Sequence, residues 1–351
     1  NAQLFSLFWA LVAMAAVAGL ARRVAGPLAA PLAVRPSDAL RGADRDARML
    51  APTKPELPAT VPAMMSDDTG RLWQALARAQ MAFAEVKKTR QMVVRGEVRY
   101  SYANLSDIVN AVMPALKAEG FTRVLILPAY PQYSGTTTAS VFDAVYHWGL
   151  RSRVLPEFRF INHYHDHPGY IQALAKRVRA HWAAQGQAEL LVMSFHGVPE
   201  RTLHLGDPYH CECYKTARLL GEALGLTKAQ YMVTFQSRFG KAKWLEPYTE
   251  PTLIALAQQG VKRVDLICPG FTSDCLETLE EISQEAQEAY LHAGGEVFHY
   301  IPCLNDSAAW VQGIHALCQS HMAGWSLHDA DADAKQLHIS RQEALELGAT
   351  N

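Results

Sequence analysis

From about residue 120 onward, the sequence alternates short apolar runs with longer amphipathic segments. The short runs are typical of buried strands, and the segments between them have the length of helices. This alternation predicts an α/β fold built from parallel βαβ units, with helices on both faces of the sheet. The predicted strands are 123–128, 158–162, 189–195, 231–235, 263–268 and 296–301, and the predicted helices are 138–148, 168–184, 211–224, 249–260, 275–294 and 307–322.

The beginning of the chain lacks this alternation. Residues 1–23 contain an uncharged apolar run, 4–21, that ends at two arginines. A run of this length is just enough to cross a bilayer, and the arginines would hold the following chain on the cytoplasmic side. A translated non-coding stretch explains the same composition equally well. Residues 24–63 are rich in alanine and proline, which predicts a linker or disordered segment.

Residues 64–120 are predicted to be helical. One helix is expected over 69–95 and a second over 104–118, each from apolar residues at helical spacing. Basic residues and tyrosines lie together between the two apolar faces: Lys87, Lys88, Arg90, Arg95, Arg99, Tyr100 and Tyr102. At the other end of the chain, the polar segment 326–351 is predicted to be a tail.

The overall composition fits a soluble globular protein. Hydrophobic residues make up 49%, charged residues 19%, and the net charge is -1, so no basic excess points to nucleic acid as the main partner. The six cysteines (Cys211, Cys213, Cys268, Cys275, Cys303 and Cys318) are spread over a long chain. That spacing favours reduced thiols in a cytosolic protein.

One predicted strand ends in a histidine. In the run 193–199, His196 follows apolar residues and precedes Gly197 and Pro199. The working residues of parallel sheets lie on loops beyond the carboxyl ends of the strands. His196 is therefore placed where an active site is expected, although a histidine that only caps the strand fits this position as well.

A second strand end leads into an acidic helix. After the strand 263–268, Asp274 begins a predicted helix on which Glu277, Glu281 and Glu285 share one face. Like charges at this spacing repel, and a solvated surface is the usual reason for them. The alternative is a path that delivers cations or carries protons between solvent and a buried site.

Two further stretches carry residues suited to binding. Residues 235–249 mix cations with aromatics, which suits a flat acidic ligand or an exposed basic loop. Three histidines, His163, His165 and His167, follow another strand end at alternate positions. Ordinary surface histidines in a turn are the preferred interpretation there, and a metal-collecting role is the alternative.

Several of these stretches resemble ferrochelatases, which insert ferrous iron into a porphyrin. They are SFHGVPERTLHLGDPYHCECYKTARLL, TFQSRFGKAKWLEPYT and CPGFTSDCLETLEEI, joined by LPAYPQYSGTTTASVFDAV (127–145) and PCLNDSAAWV (302–311). The resemblance runs from about 113 to 325. It implies two Rossmann-like chelatase domains with parallel sheets that face a cleft. The first domain, 121–185, is expected to be incomplete because its opening strand is missing, and the second is 186–325.

The resemblance also implies residue roles. His196 and Glu277 are expected to be catalytic and to bind the metal, with Asp274, Glu281 and Glu285 as an acidic path. The expected porphyrin-binding residues are Tyr130, Tyr133, Ser134, Ser194, Gln236, Ser237, Arg238 and Trp244. A neutral histidine can accept a pyrrole proton or ligate the metal, and a carboxylate can take the second proton.

The same resemblance implies protoporphyrin IX and ferrous iron as substrates, in the last iron-insertion step of haem synthesis. We expect a cytoplasmic enzyme, with membrane association through residues 4–21 as an option. No permanently bound cofactor is expected, and the cysteine positions do not match the iron–sulfur ligands of some ferrochelatases, which predicts no cluster.

A second resemblance covers residues 69–121, which are similar to the opening of the ERF family of single-strand annealing proteins. The basic, tyrosine-bearing patch there suits binding of single-stranded DNA. DNA binding or annealing through residues 64–121 is therefore the alternative function from another class, and a chelatase for a different tetrapyrrole or metal is the alternative within the same class. A natural fusion and a chimeric reading frame both explain the junction.

Overall fold

The computed structural model describes residues 13–15, 90–94, 97–102, 105–118, 121–325 and 330–350. Its strands are β1 (Ala13–Ala15), β2 (Arg90–Val94), β3 (Glu97–Tyr102), β4 (Arg123–Leu127), β5 (Glu157–Phe160), β6 (Leu190–His196), β7 (Tyr231–Gln236), β8 (Arg263–Ile267) and β9 (Val297–Ile301). Its helices are α1 (Leu105–Ala118), α2 (Thr138–Gly149), α3 (Pro168–Gln185), α4 (Arg201–His204), α5 (Tyr209–Leu224), α6 (Thr249–Gln258), α7 (Leu276–Leu279), α8 (Gln287–His292), α9 (Ala308–His321) and α10 (Ala330–Glu346), with a π-helical segment, Glu281–Ala286, between α7 and α8.

The second half of the fold is a parallel sheet of four strands. Its order is β7-β6-β8-β9, so the strand that carries His196 lies inside the sheet. Side chains of β6 alternate between two cores: Leu191, Met193 and Phe195 pack on one face, and Val192 packs on the other. Because both faces are covered by helices, the strand is apolar from Leu190 to Met193, and polar side chains enter only toward its carboxyl end, at Ser194 and His196.

The first half is a smaller sheet of three strands among the described residues, in the order β1-β4-β5. Strands β4 and β5 are parallel, whereas the short β1 pairs antiparallel with β4. The incompleteness of the first half stays a prediction, and among the described residues its third strand comes from the apolar segment near residue 13. An apolar strand at this position covers backbone groups that the edge of β4 would otherwise expose.

The two halves share one core. Leu125 and Ile161 of the first half belong to the same buried cluster as Leu191 and Phe195 of the second. Helix α3 connects them, since it packs against α5 and α9. This continuity fixes the carboxyl ends of the strands in both halves relative to each other.

Two predicted helices differ from the structure. The helix expected over 69–95 is wrong at its end, because Arg90–Val94 form a strand that pairs with Glu97–Tyr102; residues 69–89 lie outside the described residues. The β-branched and aromatic residues of this segment favour a hairpin over helix. The single helix expected over 275–294 is instead α7, the π-helical segment and α8.

The predicted tail is also partly helical, since α10 spans Ala330–Glu346. Most of the proposed membrane segment, 4–21, and all of the linker 24–63 lie outside the described residues, and Ala13–Ala15 form a strand. Among the described residues, no helix combines the length and apolar character needed to cross a bilayer.

All six cysteines of the chain are described and none forms a disulfide. Five are buried, and Cys211 is exposed on the first turn of α5. Burial raises the pKa of the thiols of Cys213, Cys268 and Cys303, and that of Cys318 rises to about 11.

Candidate active site

A cleft of about 360 Å³ opens beyond the carboxyl ends of β4, β6, β7 and β8. Its volume is within the range of small-molecule sites, roughly 300–1,000 Å³. The cleft receives side chains from both halves of the fold: Ala129, Tyr130, Gln132, Thr136, Thr137, His196, Val198, Pro199, Arg201, Thr202, Tyr209, Phe239, Gly240, Lys241, Ala242, Trp244, Gly270, Phe271 and Thr272. The walls are largely apolar and aromatic, and two cations, Arg201 and Lys241, lie at exposed positions.

His196 projects into this cleft from the last position of β6. Its ring lies 6.1 Å from the ring of Trp244 and 6.5 Å from that of Phe271. Burial lowers the pKa of His196 to about 3, and a hydrogen bond to the Gly197 carbonyl opposes this only in part. Because that carbonyl can only accept, Nδ1 donates to it, and Nε2 carries the lone pair. The imidazole is therefore neutral at physiological pH, as a proton acceptor or a metal ligand must be.

Gly197 allows the part of the cleft wall around Trp244 to pack directly beside the end of β6. Its N–H donates to the carbonyl of Gln236 at 2.8 Å. A Cβ at this position would lie 3.0 Å from that carbonyl oxygen and 3.0 Å from the Trp244 ring. Trp244 is in turn held edge to face against Phe239, with 4.6 Å between ring centroids. The glycine that the sequence placed after His196 thus allows Trp244 to pack beside the histidine.

A buried polar network supports the cleft from behind. The Ser194 hydroxyl donates to Oε1 of Gln236 at 2.7 Å and lies 2.8 Å from the Thr249 hydroxyl, which donates to Thr234. The Gln236 amide then donates to the backbone carbonyl of Glu277 at 2.7 Å. Because every polar group here has a partner, the network holds β6, β7 and α7 in one arrangement.

Glu277 lies in the first turn of α7, and its side chain is half-buried. It does not line the cleft, but it lies near Tyr130, which does. Burial, with the charge of Glu277 as the next cause, raises the pKa of the Tyr130 hydroxyl. The structure therefore brings the predicted glutamate close to the part of the cleft wall that Tyr130 forms.

The other predicted glutamates follow along the π-helical segment. Glu281 accepts hydrogen bonds from the backbone N–H of Ser237, at 2.6 Å, and from its hydroxyl. Burial raises the pKa of Glu281; the bonds from Ser237 oppose this, and the nearby Glu277 charge adds to it. Glu285, one turn further, is exposed. These glutamates therefore extend from half-buried positions to an exposed one, and their role as an acidic path stays a prediction.

Asp274 is held in a cage of donors. It accepts hydrogen bonds from the Asn305 amide at 2.7 Å, the Tyr300 hydroxyl at 2.5 Å and the Cys303 N–H at 3.2 Å. Burial alone would raise the pKa of Asp274, but the bonds from Asn305 and Tyr300 outweigh it and lower the pKa. These bonds occupy its carboxylate, so the structure gives Asp274 a role in fixing the start of α7.

The loop after β4 forms the wall from the first half. The Ser134 hydroxyl donates to Asp207 at 3.0 Å, and the N–H of Gly135 donates to the same oxygen at 2.9 Å. The N–H of Tyr133 donates to Glu212 at 2.7 Å. Two carboxylates of the second half therefore hold this turn.

The structure separates the predicted porphyrin-binding residues into three groups. Tyr130 and Trp244 line the cleft with His196. Ser134 and Ser194 are buried behind the cleft walls. Tyr133 lies next to Ser134, and its backbone N–H donates to Glu212. Gln236, Ser237 and Arg238 line a second hollow of about 240 Å³ with Glu281, and the Arg238 guanidinium lies 5.1 Å from the centre of the Tyr248 ring.

The sequence did not single out several cleft residues. Gln132, Arg201, Tyr209 and Phe271 all line the cleft. Tyr209 anchors β6, since its hydroxyl donates to the carbonyl of His196 at 2.9 Å. The positions of Gln132 and Phe271 just after strand ends were a usable signal, because the loops after β4 and β8 lead to this edge of the sheets. Arg201 and Tyr209 begin helices further along the chain and carried no such signal.

Comparisons with known proteins agree on one family. Residues 74–322 match the Ferrochelatase family. A ferrochelatase of Polaromonas sp. is 64% identical over 253 residues, covering 72% of this chain and 69% of the relative. One from Methylibium petroleiphilum is 61% identical over 258 residues, covering 74% and 70%.

One solved structure with a similar arrangement is SirB from Bacillus subtilis with Fe3+, at 11% identity and a TM-score of 0.47, covering 72% of this chain and 89% of that one. This likeness is too slight to bear on function.

The resemblance of residues 69–121 to the ERF family is not supported by these comparisons. The family match begins at residue 74 and continues through the segment that was assigned to an annealing protein. The ferrochelatase resemblance, expected from about residue 113, therefore extends further toward the start of the chain. The chain belongs to the ferrochelatase family.

Proposed function

We propose that this chain is a lyase that inserts ferrous iron into a porphyrin, the iron-insertion step of haem synthesis, with His196 and Glu277 as the residues that carry the reaction. Relatives that are 61–64% identical over most of the chain are ferrochelatases. The observation that carries the residue assignment is the neutral His196 imidazole at the strand end that opens into an aromatic cleft.

Insertion requires that the macrocycle lose two pyrrole protons as the metal enters. The Nε2 lone pair of His196 can accept one of these protons or bind the incoming ion. The carboxylate of Glu277 can take the other proton or balance the positive charge. The pKa of Glu281 is raised by burial, so it is suited to receive a proton from Glu277 and pass it toward the exposed Glu285.

The cleft suits a flat, acidic macrocycle. The aromatic rings of Trp244, Phe271 and Tyr130 line the same cleft as His196 and supply apolar surface. Arg201 and Lys241 line the same cleft as exposed cations, where they can pair with carboxylates at the edge of the ring. We propose protoporphyrin IX as the porphyrin, and a different preferred tetrapyrrole is the alternative.

The test is metal insertion by the full chain, followed by the change in porphyrin absorbance with ferrous iron or zinc. We expect insertion by the parent chain and a loss of about 10²–10⁴-fold in His196→Ala and Glu277→Gln. The exposed residues His315 and Glu280 supply matched controls, His315→Ala and Glu280→Gln.

Retained insertion in His196→Ala, with a folded circular dichroism spectrum, would contradict the assignment. An inactive parent chain would contradict the activity itself. Faster insertion into another tetrapyrrole would overturn only the choice of porphyrin.

Two further proposals concern bound cofactors and cellular location. We propose that it works without an iron–sulfur cluster or another bound cofactor, which the absorbance of anaerobically purified protein tests directly. Cytoplasmic location, and membrane association through residues 4–21, likewise stay proposals. Cell fractionation of the full chain beside a variant lacking residues 1–23 would decide between them.

A further inference from the structure

Three metal-binding side chains meet at the junction of the two halves, outside the cleft. His163 and His165 lie on the loop after β5, and Glu212 lies on the first turn of α5. The ligand atoms of all three lie within 4.8 Å of one another. None of the three lines the cleft that contains His196.

The carboxylate is central to this cluster. Nδ1 of His163 lies 2.6 Å from one Glu212 oxygen, and Nδ1 of His165 lies 3.2 Å from the other. The Glu212 side chain is only 8% exposed, so its charge needs compensation. The Tyr133 N–H, at 2.7 Å, and Nδ1 of His163, at 2.6 Å, both donate to this carboxylate.

His165 supplies an independent observation. It is 5% exposed, and among the described residues its buried Nδ1 has no hydrogen-bond partner, because the nearby Glu212 oxygen is not aligned for one. A buried imidazole nitrogen directed at a carboxylate, without a hydrogen bond between them, is an arrangement that a cation between the two groups would satisfy.

We propose that His163, His165 and Glu212 form a binding site for a divalent transition-metal ion, separate from the active-site cleft. Two imidazoles and one carboxylate suit zinc, ferrous iron or cobalt, whereas magnesium and calcium prefer oxygen ligands. His163 is exposed, so water can complete the coordination.

The surroundings of the cluster support this assignment. Nε2 of His165 lies 3.9 Å from Asp166, whose carboxylate pairs with Lys215 at 2.6 Å. A carboxylate beside the second nitrogen of a metal-binding histidine is a common supporting arrangement, because it orients the ring. The backbone of His165 is fixed as well, since its carbonyl accepts from the Thr216 hydroxyl at 2.8 Å.

The site is also connected to the wall of the cleft. The N–H of Tyr133 donates to Glu212, and Gln132, which lines the cleft, donates to Thr216 at 3.0 Å. An ion bound by Glu212 would therefore cross-link the loops after β4 and β5 to α5. We expect it to stiffen this wall and to raise the melting temperature.

A second group, His181, Asp265 and His299, is a weaker candidate. Asp265 already accepts from the Trp182 indole at 2.7 Å and the Ala188 N–H at 3.1 Å, and it lies 3.0 Å from His299. Its carboxylate is thus satisfied by protein donors. This group serves as the internal control for the proposed site.

The experiment titrates cobalt(II) into the full chain and follows its visible absorption together with the heat of binding. The parent carries His196→Ala and Glu277→Gln, so that the active-site cleft does not contribute. We expect one ion bound, with affinity at least tenfold weaker after His163→Ala or Glu212→Gln and unchanged after His315→Ala or His299→Ala. Magnesium in excess should not displace it.

Circular dichroism of each variant separates lost binding from lost folding, and the exposed His163 is the substitution least able to disturb the core. Two results would overturn the proposal: no cobalt binding by the parent, or binding that His163→Ala leaves unchanged. A loss of binding in His299→Ala alone would assign the ion to the second group instead.

Discussion

The described parts of the two halves differ in their sheets and in the polar network behind the strand ends. The second half has four parallel strands, buried on both faces, and a network of satisfied polar groups behind its carboxyl ends. Among the described residues, the first half has one parallel pair of strands with a short antiparallel strand beside it. His196, Glu277 and Glu281 all belong to the second half, whereas the first half supplies Tyr130 and the turn at Ser134.

The difference indicates a division of work. Groups that must transfer protons or hold an ion need fixed positions, and the satisfied network around Gln236 provides them. The wall from the first half needs only to present apolar surface and to stay closed. We therefore expect changes in the second half to lower kcat, and changes in the first half to raise KM.

The largest effect is expected from Gln236→Met, which keeps the volume but removes the buried amide. Ser194 and the Glu277 carbonyl lose their partner, so α7 can shift. We expect kcat to fall by about 10²-fold, with KM little changed, because small displacements of catalytic groups have effects of this size. Steady-state insertion kinetics measures both, with the exposed Gln259→Ala as control. A change confined to KM would break the division between the halves.

Asp274→Asn should reduce stability more than activity. The change weakens the cage around the start of α7, and we expect a loss of about 1–3 kcal/mol in the free energy of unfolding, measured with urea near pH 7. The folded pKa of Asp274 lies below its ordinary 3.8, so its contribution is complete above that value and is lost as the pH falls through the folded pKa. The variant should lose less stability than the parent between about pH 5 and 3. Equal losses would show that the cage does not hold an ionised carboxylate.

A smaller effect is expected from Ser134→Ala in the first half. The substitution removes the hydrogen bond from the Ser134 hydroxyl to Asp207, whereas the hydrogen bond from the Gly135 N–H remains. We expect KM for the porphyrin to rise by roughly 2- to 10-fold with kcat unchanged. The exposed Ser320→Ala is the matched control. A fall in kcat instead would mean that the wall takes part in the reaction.

The smallest expected effect concerns His196, which should not titrate near its ordinary pKa. His196 has a folded pKa of about 3, below its ordinary 6.5, so its NMR signals should stay those of neutral imidazole down to about pH 5 in the metal-free protein. Because the unfolded chain takes up this proton first, the residue lowers the stability of the fold as the pH falls from 6.5 toward 3. His196→Gln should remove that part of the pH dependence. Titration of His196 near pH 6.5 would contradict the burial on which this prediction depends.

The parts of the molecule that repeat a simple pattern could be predicted from sequence. The strand bearing His196 was expected at 189–195 and lies at Leu190–His196, because apolar runs between helices leave little choice. The hairpin Arg90–Tyr102 could not be predicted in the same way, because the apolar residues before it recur at helical spacing and suggested that the helix continues to residue 95. The position of Glu281 against Ser237 depends on a π-helical segment that no periodicity indicates.

The site was predictable at strand ends and less so across the cleft. His196 and Trp244 both line one cavity, and each lies in or close to a loop that follows a strand, which is the signal from which the sequence singled them out. The role of Asp274 in a hydrogen-bond cage depends on Asn305 and Tyr300, which are distant in sequence. Pairings of this kind arise from tertiary packing and leave no local signal.

The single exposed thiol among the six cysteines has a practical use. Cys211 precedes Glu212 on α5, while the other five thiols are buried and resist alkylation. A maleimide fluorophore should therefore attach at one natural position, without engineered cysteines. Placed beside the junction of the two halves, such a dye would report optically on its surroundings there as each ligand arrives.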